Sequence, residues 1–186
     1  MQVGRRTLCI GPNTFFQNNV YLLLPLLDDV AGCVSQASRV ADLYGGVGTI
    51  ALHIADNVRQ VTCVESVEES AAWARYNAVA NSVENASVVT SDVLAFLRNQ
   101  PMGCFEVIVA DPPRVGLGPD VCRELLRLRP EKLVYVSCNA LTQLDDARIL
   151  AAGYRLTELR GYDMFPQTPH MEALAVFERR PLTNDH

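Results

Sequence analysis

The chain has 186 residues, of which 49% are hydrophobic and 20% charged, and its formal net charge is −5. That is enough apolar material for one α/β domain with a full core and too much for a disordered chain. No uncharged apolar run approaches the ~18 residues of a membrane span, no secretory leader is recognisable, so a cytoplasmic protein is expected, and the acidic balance argues against a self-sufficient nucleic-acid binder.

The six cysteines are scattered without a C-x-x-C pair, so neither a zinc site nor an iron–sulfur cluster is expected, and no metal is assigned. Residues 1–17 read as a strand-like arm with a turn at Gly11-Pro12-Asn13, and 18–36 as a helix with a possible break at Pro25. From Arg39 the chain alternates. Strands are predicted at 39–44, 60–65, 87–91, 105–110 and 132–137, with helices at 49–57, 67–81, 93–99, 119–128 and 140–151. This is the rhythm of a doubly wound parallel sheet. Residues 154–163 and 173–179 both read as strands with no helix between them, so an antiparallel hairpin with a loop at 164–172 should end the sheet. Nothing marks a linker, so one domain is expected over 1–186, with an arm and helix at 1–36 and the core at 37–180.

Asp42-Leu43-Tyr44-Gly45-Gly46-Val47-Gly48-Thr49 falls where the first long strand turns into a helix. Glycines there let backbone approach a ligand closely. Glu65 ends the next strand and is placed to accept ribose hydroxyls. Asp92 ends the third and could meet an adenine amino group, or simply cap the helix that starts at Val93. A dinucleotide is disfavoured because the third glycine of G-x-G-x-x-G is missing, which leaves S-adenosylmethionine as the better fit.

Three further segments carry chemistry: Asp111-Pro112-Pro113-Arg114, Ser137-Cys138-Asn139 and His170-Met171-Glu172. The two prolines make a stiff loop with bare carbonyls. Cys138 ends a strand that should lie beside Asp111, and a thiolate is suited to add to C6 of a pyrimidine. Methylation at C5 then requires a general base. Glu172 is the candidate, with Asp163 and His170 as alternatives, and His170 fits a hydrogen-bond partner or loop organiser better than the base. Arg114 adds a cation for phosphate or base, and Arg123, Arg127 and Arg129 follow it closely, although such a run is more often a solvated helix face.

With those segments and Phe15-Phe16-Gln17-Asn18 and Asp163-Met164-Phe165-Pro166-Gln167-Thr168-Pro169, the chain resembles the S-adenosylmethionine-dependent RNA uracil-5-methyltransferases over roughly residues 10–180. The resemblance implies a Rossmann-like class I methyltransferase fold, with a seven-stranded, mostly parallel sheet and an antiparallel last strand. It implies cofactor contacts at Gln17, Tyr44, Thr49, Glu65 and Asp111, with Asp92 a less securely aligned addition. Cys138 becomes the nucleophile and Glu172 the base. The Asp-Met-Phe-Pro form is more similar to the ribosomal-RNA members than to the transfer-RNA members. Gly45 stands where a cysteine is common, and Ala140 where a proline is. The chain starts just before Phe15-Phe16-Gln17, so it looks like the catalytic domain alone, without the RNA-gripping region that members usually carry. Two rivals remain: cytosine-5 methylation, and a cofactor-binding remnant that needs a partner chain or an RNA-binding domain.

Overall fold

Short runs of valine, leucine and alanine alternate with helix-forming segments from Arg39 onward, and burial of both faces makes those runs strands of one parallel sheet. A computed structural model describes residues 1–12, 14, 19–164, 166–168 and 171–181. In chain order the elements are β1 (Gln2–Val3), β2 (Arg6–Thr7), α1 (Val20–Val34), β3 (Arg39–Leu43), α2 (Thr49–Ile54) with a 3₁₀ turn at Ala55–Asn57, β4 (Gln60–Glu65), α3 (Glu68–Ala80), β5 (Ala86–Thr90), α4 (Val93–Arg98), β6 (Val107–Ala110), α5 (Gly118–Leu128), β7 (Lys132–Ser137), α6 (Ala140–Leu150), β8 (Tyr154–Tyr162) and β9 (Glu172–Arg179).

The main sheet has seven strands in the order β5-β4-β3-β6-β7-β9-β8. Strands β3 to β7 pair in parallel. The last strand, β9, runs antiparallel to both β7 and β8, as the two consecutive strand patterns near the end predict. One face of the sheet packs on α1, α2 and α3, the other on α4, α5 and α6. The chain order reverses between β3 and β6, the place where open α/β sheets offer a ligand crevice.

The expected break at Pro25 does not occur, and α1 runs through it. Leu23, Leu26, Leu27, Val30, Ala31 and Val34 form one buried stripe that holds the helix to the sheet. Pro25 removes one hydrogen bond, to the carbonyl four residues earlier at Tyr21, a residue that water can reach. Asn19 caps the start of α1 through Tyr21 and Leu22 and also donates to the Met164 carbonyl at 3.2 Å. Farther along, Asp29 accepts from Tyr162 and Arg160 of β8. These ties, with Lys132 at the start of β7 donating to the Cys33 carbonyl, lay α1 along the sheet face with its first turn at the carboxyl ends of the strands. Among the described residues no helix is long and apolar enough to cross a membrane.

Candidate active site

Side chains alternate along a strand, so the core residues tell where the polar ends point. Val40, Cys63, Val109, Val136 and Leu174 all pack on the α1–α2–α3 side. Two residues beyond each, in the same alternation, come Asp42, Glu65, Asp111 and Cys138, and two residues before Leu174 comes Glu172. Four carboxyls and one thiol thus share one face at one end of the sheet. A cleft there is lined by Leu23, Leu26, Tyr44, Gly46, Thr49 and Asp111, among others. A roomier groove of about 630 Å³ lies toward the far end of α2. Its charges pair with one another, Arg6 with Asp56 and His53 with Asp28, and it holds none of the residues singled out above.

The glycine turn is built on left-handed backbone. Tyr44, Gly46 and Gly48 have φ of 61°, 55° and 87°, a strained value for a tyrosine. Glu65 supports the turn, accepting from Gly46 N–H at 2.9 Å with one oxygen and from Val67 N–H at 2.7 Å with the other. Asp42 lies beneath it, fully buried, and accepts from Ala51 N–H at 2.9 Å. It does the capping that Gly48, without a side chain, cannot. Its other oxygen has no partner, and burial pushes its carboxyl up to about 7 against a drop from the Ala51 hydrogen bond. Thr49 opens α2 beside the cleft. Asp92 is exposed and caps α4 through Ala95 N–H at 2.9 Å, so the capping role is present at this position.

The second group of candidate residues lies where β6, β7 and β9 meet. The ladder ends with Ser137 of β7 paired to Ala173 of β9; Cys138 follows the one in the chain and Glu172 precedes the other. Glu172 is 1% exposed, and among the described residues neither carboxylate oxygen has a hydrogen-bond partner. Burial raises its pKa to about 7. Asp111 is held well above the usual carboxylate range, first by burial, then by Glu172 and Asp42. The Cys138 thiol is raised by burial and by Glu172, while a hydrogen bond and the charge of Arg114 act the other way. These mutual effects show that the four side chains share one small space.

Sequence reasoning missed what holds this cluster. Ser137 Oγ donates to the Asn139 carbonyl and accepts from Asn139 N–H, both at 3.1 Å, which locks the turn carrying Cys138. Asn139 and Thr142 donate to the Arg114 carbonyl at 3.0 and 3.2 Å. Asp146, 4% exposed, accepts from Leu117 N–H at 2.8 Å, Gly118 N–H at 3.0 Å and the Tyr135 hydroxyl at 2.8 Å. Residues 139, 142 and 146 share one face of α6 and its cap. That face grips the loop after Asp111, so Arg114 and Cys138 are fixed relative to each other.

Gln17 and His170 lie outside the described residues. The basic run after Arg114 is not a free cationic patch. Arg123 pairs with Asp120 and Arg127 with Glu124, three residues before each. Arg127 also donates to the Leu97 and Gln100 carbonyls at the end of α4. Arg114 is exposed at the mouth.

The family model described as tRNA (Uracil-5-)-methyltransferase matches residues 4–180. The chain belongs to the tRNA (uracil-5-)-methyltransferase family. A tRNA (uracil(54)-C(5))-methyltransferase of Pyrococcus horikoshii is 39% identical over 166 residues, 89% of this chain and 39% of that protein. An uncharacterised RNA methyltransferase of Chlorobaculum tepidum is 39% identical over 185 residues, 96% of this chain and 38% of that protein. In three dimensions the chain is similar to the Pyrococcus abyssi tRNA (uracil-54, C5)-methyltransferase in complex with S-adenosyl-L-homocysteine, with a TM-score of 0.85 and 34% identity over 95% of this chain and 43% of that one. The chain thus spans less than half the length of these relatives.

The residues present fit the nucleoside–amino-acid ligand of this family. The left-handed turn leaves open space at Gly46. Glu65 offers acceptors at the end of β4 for ribose hydroxyls, which are donors. Tyr44 and Thr49 border the cleft. Asp42 does not reach it, being consumed in bracing α2.

Proposed function

We propose that the chain is the catalytic domain of an enzyme that methylates C5 of a uridine in RNA, using S-adenosylmethionine. Within it, residues 1–36 form an arm and helix, and 37–180 the core. The observation that carries the reading is the meeting of Cys138 and Glu172 at the end of the β7–β9 ladder, with Asp111 and Arg114 beside them. Glu65, Tyr44, Thr49 and Asp111 would hold the cofactor, with Asp92 and Gln17 as further contacts. When bound, it supplies the electrophilic methyl group.

Cys138 Sγ adds as a thiolate to C6 of the flipped base, and the C5=C6 electron pair goes to C5. Arg114 favours that thiolate. The bound S-adenosylmethionine would supply the methyl group to C5 and leave as S-adenosylhomocysteine, so that C5 would carry both a methyl and a hydrogen. Glu172 removes the hydrogen as a proton, the electron pair restores C5=C6, and Sγ leaves. A carboxylate with a pKa of about 7 is matched to proton removal near neutral pH. His170 organises the loop before it.

The Asp163-Met164-Phe165-Pro166 form favours ribosomal RNA, whereas the two Pyrococcus relatives are transfer-RNA methyltransferases. A cytoplasmic site of action belongs to the same reading. Incubating the protein with S-adenosylmethionine and transcripts of each RNA, then digesting to nucleosides, tests it by mass spectrometry. The expected product is 5-methyluridine in one RNA class. 5-Methylcytidine would favour cytosine chemistry instead. No product, with cofactor binding intact, would favour the cofactor-binding remnant.

A further inference from the structure

Two asparagines on α3 grip the N-terminal arm as a neighbouring β-strand would. Asn81, at the end of α3, accepts from Thr7 N–H and donates to the Thr7 carbonyl, both at 2.9 Å. Asn77 accepts from Cys9 N–H at 2.8 Å and donates to the Cys9 carbonyl at 3.0 Å. At the next step Gly11 lies so close that a Cβ there would fall 2.4 Å from the Trp73 Nε1. Arm residues 7, 9 and 11 thus meet helix residues 81, 77 and 73. The match is geometric: two extended residues advance about 6.6 Å, and four helical residues about 6.0 Å. A carboxamide carries one acceptor and two donors, so it can serve both groups of an extended residue and have a donor left.

In Asn81 that donor goes to the Asn77 carbonyl, at 2.7 Å, and in Asn77 it goes to the glycine turn. Its Nδ2 also reaches the Val47 carbonyl at 3.0 Å, inside the glycine turn, and Asn77 is fully buried. One residue on, the Cβ position of Gly48 sits 3.3 Å from Ala74 of the same helix. We propose that Asn77 is a positioning residue for the cofactor turn, and that it couples docking of the arm to cofactor binding. Asn81 holds the arm in the same way but does not touch the turn, which makes it the internal control. The inference rests on S-adenosylmethionine use and not on the identity of the RNA or the chemistry at Cys138, so its test needs neither RNA nor turnover.

The test is S-adenosylhomocysteine binding by calorimetry to the full chain and to Asn77→Ala, Asn77→Asp and Asn81→Ala. Asn77→Asp would place carboxylate oxygens against two carbonyls. The expected result is affinity weakened about tenfold or more by either change at Asn77 and by less than about twofold by Asn81→Ala. Equal losses at both positions, or none at Asn77, would overturn the proposal. Because the Asn77 variants can fail to fold, hydrogen exchange in the unaltered chain gives a second reading. Saturating S-adenosylhomocysteine should slow exchange of the Thr7 and Cys9 amides, the donors to Asn81 and Asn77. Unchanged exchange at Cys9 would overturn the coupling whatever the variants do.

Discussion

Glu172 opens β9 one step past the Ser137–Ala173 pair, at the end of the ladder where Cys138 leaves β7, and among the described residues its buried carboxylate has no hydrogen-bond partner. A carboxyl in that position is costly when charged. The fold keeps it on a strand, where the β-ladder fixes its backbone. Its function in the proposed reaction is to accept a proton from the base bonded to Cys138.

That burial makes stability depend on pH. Glu172 titrates near 4.5 when unfolded and at about 7 when folded, so the folded state binds the proton more tightly. The stabilisation is complete below pH 4.5 and lost as pH rises to about 7. Asp42, raised from 3.8 to about 7, works in the same direction. Glu172→Gln should therefore stabilise the ligand-free protein at pH 8, by on the order of 2–3 kcal/mol, and change little at pH 4. Denaturant unfolding at both pH values checks the sign.

The Cys138 thiol feels opposite influences from its two charged neighbours. Arg114→Ala should raise its pKa and slow alkylation by iodoacetamide at pH 8, whereas Glu172→Gln should speed it. The pH dependence of alkylation, followed by mass on a tryptic peptide, reads both shifts.

Asp146 answers three buried donors at once. Asp146→Ala leaves the Leu117 and Gly118 amides and the Tyr135 hydroxyl without their acceptor, a loss of about 3–5 kcal/mol by the general cost of breaking a buried charged network. Thermal unfolding measures it. The Arg114 loop should loosen at the same time, visible as faster hydrogen exchange at Leu117 and Gly118.

Gly45 is closely packed by a neighbouring sulfur. A Cβ at residue 45 would lie 2.3 Å from Cys63 Sγ. The Cys63 sulfur fills the space that a side chain at 45 would take. Gly45→Ala should cost about 1–3 kcal/mol through overpacking. In the Cys63→Ala background the same change should cost much less, and a double-mutant cycle would show the coupling.

Much of the site was legible because strand alternation and strand ends are written in the sequence. The five buried or half-buried groups of the cluster and the turn all lie at those ends. The hairpin was legible too, since two strand patterns followed one another without a helix. What was not legible is how side chains are spent. Asn77 and Asp146 sit in helices with polar neighbours and read as solvated positions, yet each is buried and serves backbone groups far along the chain. Asp42 opens the glycine segment in the sequence, and only the structure shows that it caps α2 at Ala51 in place of the bare Gly48. Arg123 and Arg127 look like a basic patch when counted alone. Their acids, Asp120 and Glu124, neutralise them on the same helix.

The most direct measurement is a covalent trap. The protein is mixed with S-adenosylmethionine and RNA containing 5-fluorouridine, whose fluorine cannot leave C5 as a proton does. The expected result is a denaturation-resistant protein–RNA band that requires S-adenosylmethionine and disappears in Cys138→Ala. A band that survives Cys138→Ala, or no band while S-adenosylmethionine still binds, would contradict thiol attack by Cys138 as the basis of this chain's activity.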